Sequence, residues 1–139
     1  MTWTYKGEPV TTPPAGVLGF VYEITNSNTG EYYIGQKHMW SVKKLPPLKG
    51  KKNKRHRRVE SDWQTYWGSS TKLLADIELL GSNQFTRNIL QYCNSKGTLN
   101  YVEAQMQFER AVLLDSLSYN GIINCKIHRK HLGELIEKL

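Results

Sequence analysis

The chain has 139 residues with 19 Lys and Arg against 12 Asp and Glu, a formal net charge of +7, enough for one domain with a modest core and too short for two. Cys93 and Cys125 stand apart with no Cys-x-x-Cys spacing, which argues against a disulfide framework or a zinc site and leaves both thiols expected to be reduced and buried. No apolar run approaches membrane-spanning length and no basic-then-apolar leader opens the chain, so a soluble cytoplasmic protein without membrane contact is expected.

Residues 1–15, with Pro9, Pro13 and Pro14, read as an extended lead-in. Val17 to Thr25 is rich in β-branched and aromatic residues and Tyr32 to Lys37 alternates in the same style. Asn26-Ser27-Asn28-Thr29-Gly30 between them is turn chemistry, so the spacing predicts a β-hairpin. If the turn pairs Thr25 with Tyr32, then Ile24 faces Tyr33, Tyr22 faces Gly35 and Phe20 faces Lys37. Tyr22, Tyr33 and Lys37 then share one surface, and a one-residue slip would scatter them. Gly35 opposite Tyr22 leaves space beside the ring for a backbone or a phosphate.

The positive charge is local. Tyr32 through Val59 holds ten Lys or Arg and no Asp or Glu, whereas the rest of the chain holds nine basic and twelve acidic residues. Residues 38–62 read as a mobile basic loop inserted in the domain, because Pro46-Pro47 bars a continuous helix and like charges repel on compaction. Two readings apply to Lys43, Lys44, Lys49, Lys51, Lys52, Lys54, Arg55, Arg57 and Arg58. They form an arm on nucleic-acid phosphates, salt-sensitive and largely indifferent to base sequence, or a solvated disordered insertion; the density of charge favours the arm.

Further along, Ser69, Ser70 and Thr71 offer N-caps for a helix carrying Leu73, Leu74, Ile77 and Leu80 and stopped by Gly81. Gln84 to Cys93 reads as a third strand, Leu99 to Ser116 as the longest helix, Ile122 to Ile127 as extended, and His131 to Leu139 as a terminal helix. The predicted fold is α+β, a small three-stranded antiparallel or mixed sheet flanked by helices, in a single domain over 1–139.

The stretches Gly19-Phe20-Val21-Tyr22 and Tyr33-Ile34-Gly35 resemble the paired signature of the GIY-YIG nucleases, with Gly-Phe-Val-Tyr replacing a literal Gly-Ile-Tyr. Tyr66-Trp67-Gly68-Ser69-Ser70, Phe85 to Leu90, Glu103 and Tyr119-Asn120 extend the resemblance, which is to small phage-encoded members and spans roughly residues 17–127. It implies a DNA endonuclease dependent on Mg²⁺ or Mn²⁺, with Tyr33 as general base, Tyr22 beside it and Glu103 as the metal ligand. Glu109 is the second-ranked carboxylate. By the same resemblance Asn120 organises the site, with Asn124 an alternative, and Ser69 contacts a phosphate or serves only as a cap.

Lowering a phenol from about 10 to about 7 takes roughly 4 kcal/mol of phenolate stabilisation, which Lys37 and a divalent ion would share. Asn100-x-x-Glu103 also fits a capping box, a competing role for Glu103. The family's arginine on a helix after the second motif has no match. Lys37 takes its place, or Arg55, Arg57 or Arg58 folds back to do so. His38, on the opposite strand face, reads as packing or surface, and His56 as a passenger on the basic segment. A non-catalytic nucleic-acid-binding module on the same fold is the rival reading, and a basic protein of an RNA assembly the third. A homodimer is one way for two sites to meet across a duplex.

Overall fold

The computed structural model describes residues 2–137. Its strands are β1 (Thr4–Tyr5), β2 (Glu8–Pro9), β3 (Gly19–Asn26), β4 (Tyr32–His38), β5 (Trp40–Leu45), β6 (Arg55–Glu60) and β7 (Phe85–Cys93); its helices are α1 (Thr71–Leu80), α2 (Lys96–Glu109) and α3 (Gly133–Ile136). The α+β class holds, but the main sheet has five strands, in the order β2-β1-β7-β3-β4, instead of three. The two additional strands come from the N-terminal lead-in, which folds into a tight hairpin and lays β1 parallel to β7.

The register of β3 on β4 is the one the turn predicts: Thr25 opposite Tyr32, Ile24 opposite Tyr33, Tyr22 opposite Gly35, Phe20 opposite Lys37. The turn is set by Asn26, whose side-chain oxygen accepts the Asn28 N–H at 3.0 Å, and by Gly30, whose φ of 78° suits a residue without Cβ. On the other side of β3, the pairing with β7 shifts between Val21 and Tyr22, leaving Leu90 without an opposite residue. Such a bulge re-aims the side chains beside it, and here the neighbour is Tyr22.

Strand alternation divides the core in two. Trp3, Phe20, Tyr22, Ile24, Trp63, Phe85 and Ile89 pack with Leu73 of α1 on one face. Val21, Ile34 and Cys93 pack with Leu99 and Val102 of α2 on the other. On α1 the predicted apolar stripe is sealed only at Leu73; Leu74 and Leu80 are exposed. Ser70 is its N-cap, accepting the Leu73 N–H at 3.3 Å.

Several expectations are corrected. Residues 38–62 are not a mobile loop: β5 and β6 pair antiparallel from Trp40 opposite Glu60 to Leu45 opposite Arg55, and Pro46-Pro47 sits past the pairing, where no ladder N–H is needed. Helix α2 begins at Lys96, capped by Ser95, and ends at Glu109 instead of running to Ser116. The Val112 N–H reaches the Gln107 carbonyl, the Ala111 N–H reaches that of Phe108, and Ala111 takes a φ of 49°: a Schellman stop built on alanine. Burial of Val112 offsets the cost of that left-handed residue. Residues 122–127 form no strand, the C-terminal helix is the single turn α3 with Lys138 and Leu139 outside the described residues, and Cys125 is exposed while Cys93 is buried. No helix among the described residues is long and apolar enough to cross a membrane.

Candidate active site

Strand β4 is the outer strand of the sheet, and a cavity of about 420 Å³ wraps its outer edge. Tyr22 and Tyr33 enter it from the α1 face; Gln36, Glu103 and Gln107 enter from the α2 face; Tyr66, Ser69 and Asn120 complete its wall. The two signature phenols and the helical carboxylate therefore open into one space. The Tyr22 and Tyr33 rings lie 6.1 Å apart, and the Tyr66 ring stands edge-on to Tyr22 at 6.2 Å.

Gly35 does not leave a vacant slot. A Cβ there would lie 2.6 Å from the Tyr22 hydroxyl and 2.8 Å from the Tyr33 ring, so the two rings fill the space that glycine leaves. Gly35→Ala is accordingly expected to push both rings off their positions, lowering cleavage by about 100-fold, since a displacement near 1 Å has that effect on well-oriented reactions. Cleavage rates and the near-ultraviolet circular dichroism of the tyrosines check it.

Asn120 is fixed to β4 as though it were a strand residue. Its side-chain oxygen accepts the Ile34 N–H at 3.0 Å and its amide donates to the Ile34 carbonyl at 2.8 Å, while Gln107 Nε2 donates to the same carbonyl at 2.9 Å. The Tyr32 N–H and carbonyl are taken by Leu117 and Tyr119, so segment 117–120 seals this edge. Asn124 also lines the cavity but makes no such pair. Ser69 is not the cap of α1; its hydroxyl lies 3.1 Å from the Tyr33 hydroxyl.

Glu103 sits in the second turn of α2, beyond the cap at Ser95, so it does not serve as a capping-box residue. It accepts from Gln36 Nε2 at 3.1 Å, and Gln36 also donates to Asn100 at 2.8 Å. Burial pushes the Glu103 carboxyl up from its ordinary value, partly offset by Gln36. Glu109, at the exposed end of α2, lies outside the cavity. One turn past Glu103, buried Gln107 turns a side-chain oxygen that accepts no hydrogen bond from the protein. Among the described residues no three His, Cys, Asp or Glu converge. Glu103, with the Gln107 oxygen near it, therefore offers hard oxygen donors suited to an ion that keeps most of its waters.

Lys37 shares the strand face of Tyr33 but does not line the cavity. Its ammonium pairs with Asp62 at 2.6 Å, holding that carboxyl below the usual range, and lies 4.2 Å from the centre of the Tyr66 ring. Arg55, Arg57 and Arg58 stay on β6, Arg58 over the Trp40 ring at 4.5 Å. The remaining basic residues, Lys43 and Lys44 on β5 and Lys49, Lys51, Lys52 and Lys54 in the connecting turn, are exposed, as is His56. His38 is half-buried, its imidazole pulled down by burial and by Lys96 and Lys37. Tyr66, Gln36, Gln107 and Lys126, which shares a small groove with Glu103, were not legible as site residues. Only Tyr66 had a signal, its place before Gly68-Ser69.

The protein alone does not acidify its phenols. Burial raises Tyr33, with Ser69 opposing, and raises Tyr22 well beyond the ordinary value; Tyr119 is pushed up to about 12. Below a pH of about 10 both folded and unfolded chains keep these protons; above it the unfolded chain releases them first, so stability is full below that point and falls as pH rises further. Denaturant midpoints are expected to drop between about pH 10 and about pH 12, and Tyr22→Phe to reduce the drop.

No curated protein and no solved structure matches the chain. Residues 3–123 match the family described as "Putative endonuclease segE, GIY-YIG domain", and with the paired tyrosines in register on one hairpin and a helical glutamate across the cavity, the chain belongs to the GIY-YIG nuclease family.

Proposed function

We propose that the protein is a divalent-metal-dependent DNA endonuclease of the cytoplasm, acting as one domain. The observation that carries this reading is that Tyr22, Tyr33 and Glu103 line one open cavity around the edge of β4. Phosphodiester hydrolysis needs a water deprotonated and aimed at phosphorus, charge balanced on the non-bridging oxygens, and a stabilised leaving oxygen. Tyr33, as the phenolate, takes the proton of the attacking water, with Ser69 donating to its oxygen and holding it in place. Tyr22, deeper and less acidic, supports the Tyr33 ring and donates a hydrogen bond to the substrate.

Glu103 would hold Mg²⁺ or Mn²⁺, and the Gln107 side-chain oxygen would accept a hydrogen bond from water on such an ion. When bound, the ion would supply the positive charge that a phenolate and the oxygens of a five-coordinate phosphorus both require. Asn120 keeps β4 and the cavity wall in one geometry, and Lys37, freed from Asp62 by an arriving phosphate, adds charge at the rim. The basic β5–β6 hairpin binds duplex DNA through its phosphates.

Supercoiled plasmid incubated with the protein and Mg²⁺ is expected to be nicked or linearised, with EDTA blocking the reaction. Retention of the plasmid without any turnover in Mg²⁺ or Mn²⁺ would replace this reading by a non-catalytic nucleic-acid-binding module.

A further inference from the structure

The distribution of charge over the β5–β6 hairpin specifies how it meets DNA. The pairing places Val42 opposite Arg58 and Lys44 opposite His56 on one face, and Lys43 opposite Arg57 and Leu45 opposite Arg55 on the other. Both faces of the ribbon therefore carry cations. Ser41 to Lys44 and Arg55 to Arg58 are exposed, and no acidic side chain pairs with any of these cations among the described residues. Arg58 lies over Trp40, and Arg55 donates to the Pro46 carbonyl. A ribbon lying flat on a phosphate surface needs cations on one face only.

Cations on two opposed faces fit a slot with a negative wall on each side. Stacked sheets stand about 10 Å apart, so a two-stranded ribbon with side chains on both faces needs a slot at least about that wide. The major groove of B-form DNA is about 12 Å wide and the minor groove about 6 Å, so only the major groove admits it. The deep, narrow major groove of an A-form RNA duplex does not. The paired strands extend about 20 Å, more than the groove's depth of about 8.5 Å, which leaves the base of the ribbon outside, where it joins the enzyme. The tip bears Lys49, Lys51, Lys52, Asn53 and Lys54, with the Lys51 N–H closing a turn on the Leu48 carbonyl.

We infer that the hairpin enters the major groove of duplex DNA tip first, its two faces against the two phosphate walls and its tip lysines at the base edges. This rests on the reading of duplex DNA as substrate, and it adds the groove, the orientation and a source of sequence preference, since lysine donates to guanine O6 and N7.

The experiment is run in EDTA, so binding is read without cleavage and the fate of the nuclease reading is decided separately by the plasmid assay. Salt titration of duplex binding compares Lys43→Gln/Arg57→Gln with Lys44→Gln/Arg58→Gln. Each pair is expected to flatten the log affinity against log salt slope by about two, because each removes two phosphate contacts. A third variant replaces residues 46–54 by Asn-Gly, a two-residue turn suited to closing the Leu45–Arg55 pair. Wild type is expected to protect guanine N7 from dimethyl sulfate and the shortened variant to lose that protection. A wild-type slope in either face variant, unprotected N7 in the wild-type complex, or equal affinity for an RNA duplex would overturn the insertion.

Discussion

Glu103→Gln is expected to lower the rate of plasmid cleavage by about 10³-fold, the loss seen when a charge-stabilising group is removed from a reacting centre. Duplex affinity in EDTA should stay at the wild-type value, because no part of the β5–β6 hairpin touches this carboxylate. Folding stability should not fall, and the sign follows from burial. The folded carboxyl is raised above its ordinary value, so in the window between the two the folded protein holds a proton that the unfolded chain has released. Stability therefore declines as pH rises through that window, and at neutral pH the buried charge is a net cost. Glutamine keeps the acceptor for Gln36 and carries no charge, so the variant should melt at or above wild type. Mn²⁺ should raise the melting temperature of wild type and leave that of the variant unchanged. Cleavage within roughly tenfold of wild type would remove Glu103 from the mechanism.

Tyr33→Phe is expected to lower cleavage by about 10²–10⁴-fold, the usual range for a positioned acid or base. The ring keeps its place beside Tyr22, so only the hydroxyl and its Ser69 contact are lost. A pH profile separates this role from packing. Because burial raises the phenol, wild-type log rate should climb with pH across the neutral range with a slope of about one, and the variant should be flat. Tyr22→Phe should keep the slope. A flat wild-type profile with unchanged activity in Tyr33→Phe would transfer the base role to another group.

Local chemistry made the central hairpin legible. The Asn26 and Gly30 turn and the alternation of apolar residues fix one register, and that register alone places Tyr22 across from Gly35. The glutamate of α2 was legible by resemblance, although the helix start was not: Ser95 and Asn100 are both acceptable caps, and burial of Thr98 and Leu99 decides between them. Long-range pairing left little trace. Thr4 and Tyr5 carry no sign that they will lie parallel to Asn88 and Ile89.

The basic segment misled for a physical reason. Self-repulsion argues for an open loop, but Trp40, Val42, Leu45 and Val59 supply enough β-formers to pair while the charges point to solvent on either face. Gln36 and Gln107 were illegible because amides of this kind are common on any surface, and only the packing of α2 on β4 brings both to the cavity.

The fastening of segment 117–120 along β4 has a bearing on self-association. A sheet normally grows by adding a neighbour to an unpaired margin, and here one margin is already occupied by Asn120 and the backbone around it. The opposite margin, β2, is two residues long and ends in Pro9, which has no N–H to offer. Neither side of the five-stranded sheet offers a long unpaired strand, which disfavours growth of that sheet from molecule to molecule. Two molecules cutting opposite strands of one duplex would meet through helices, turns, the β5–β6 ribbon or the nucleic acid itself.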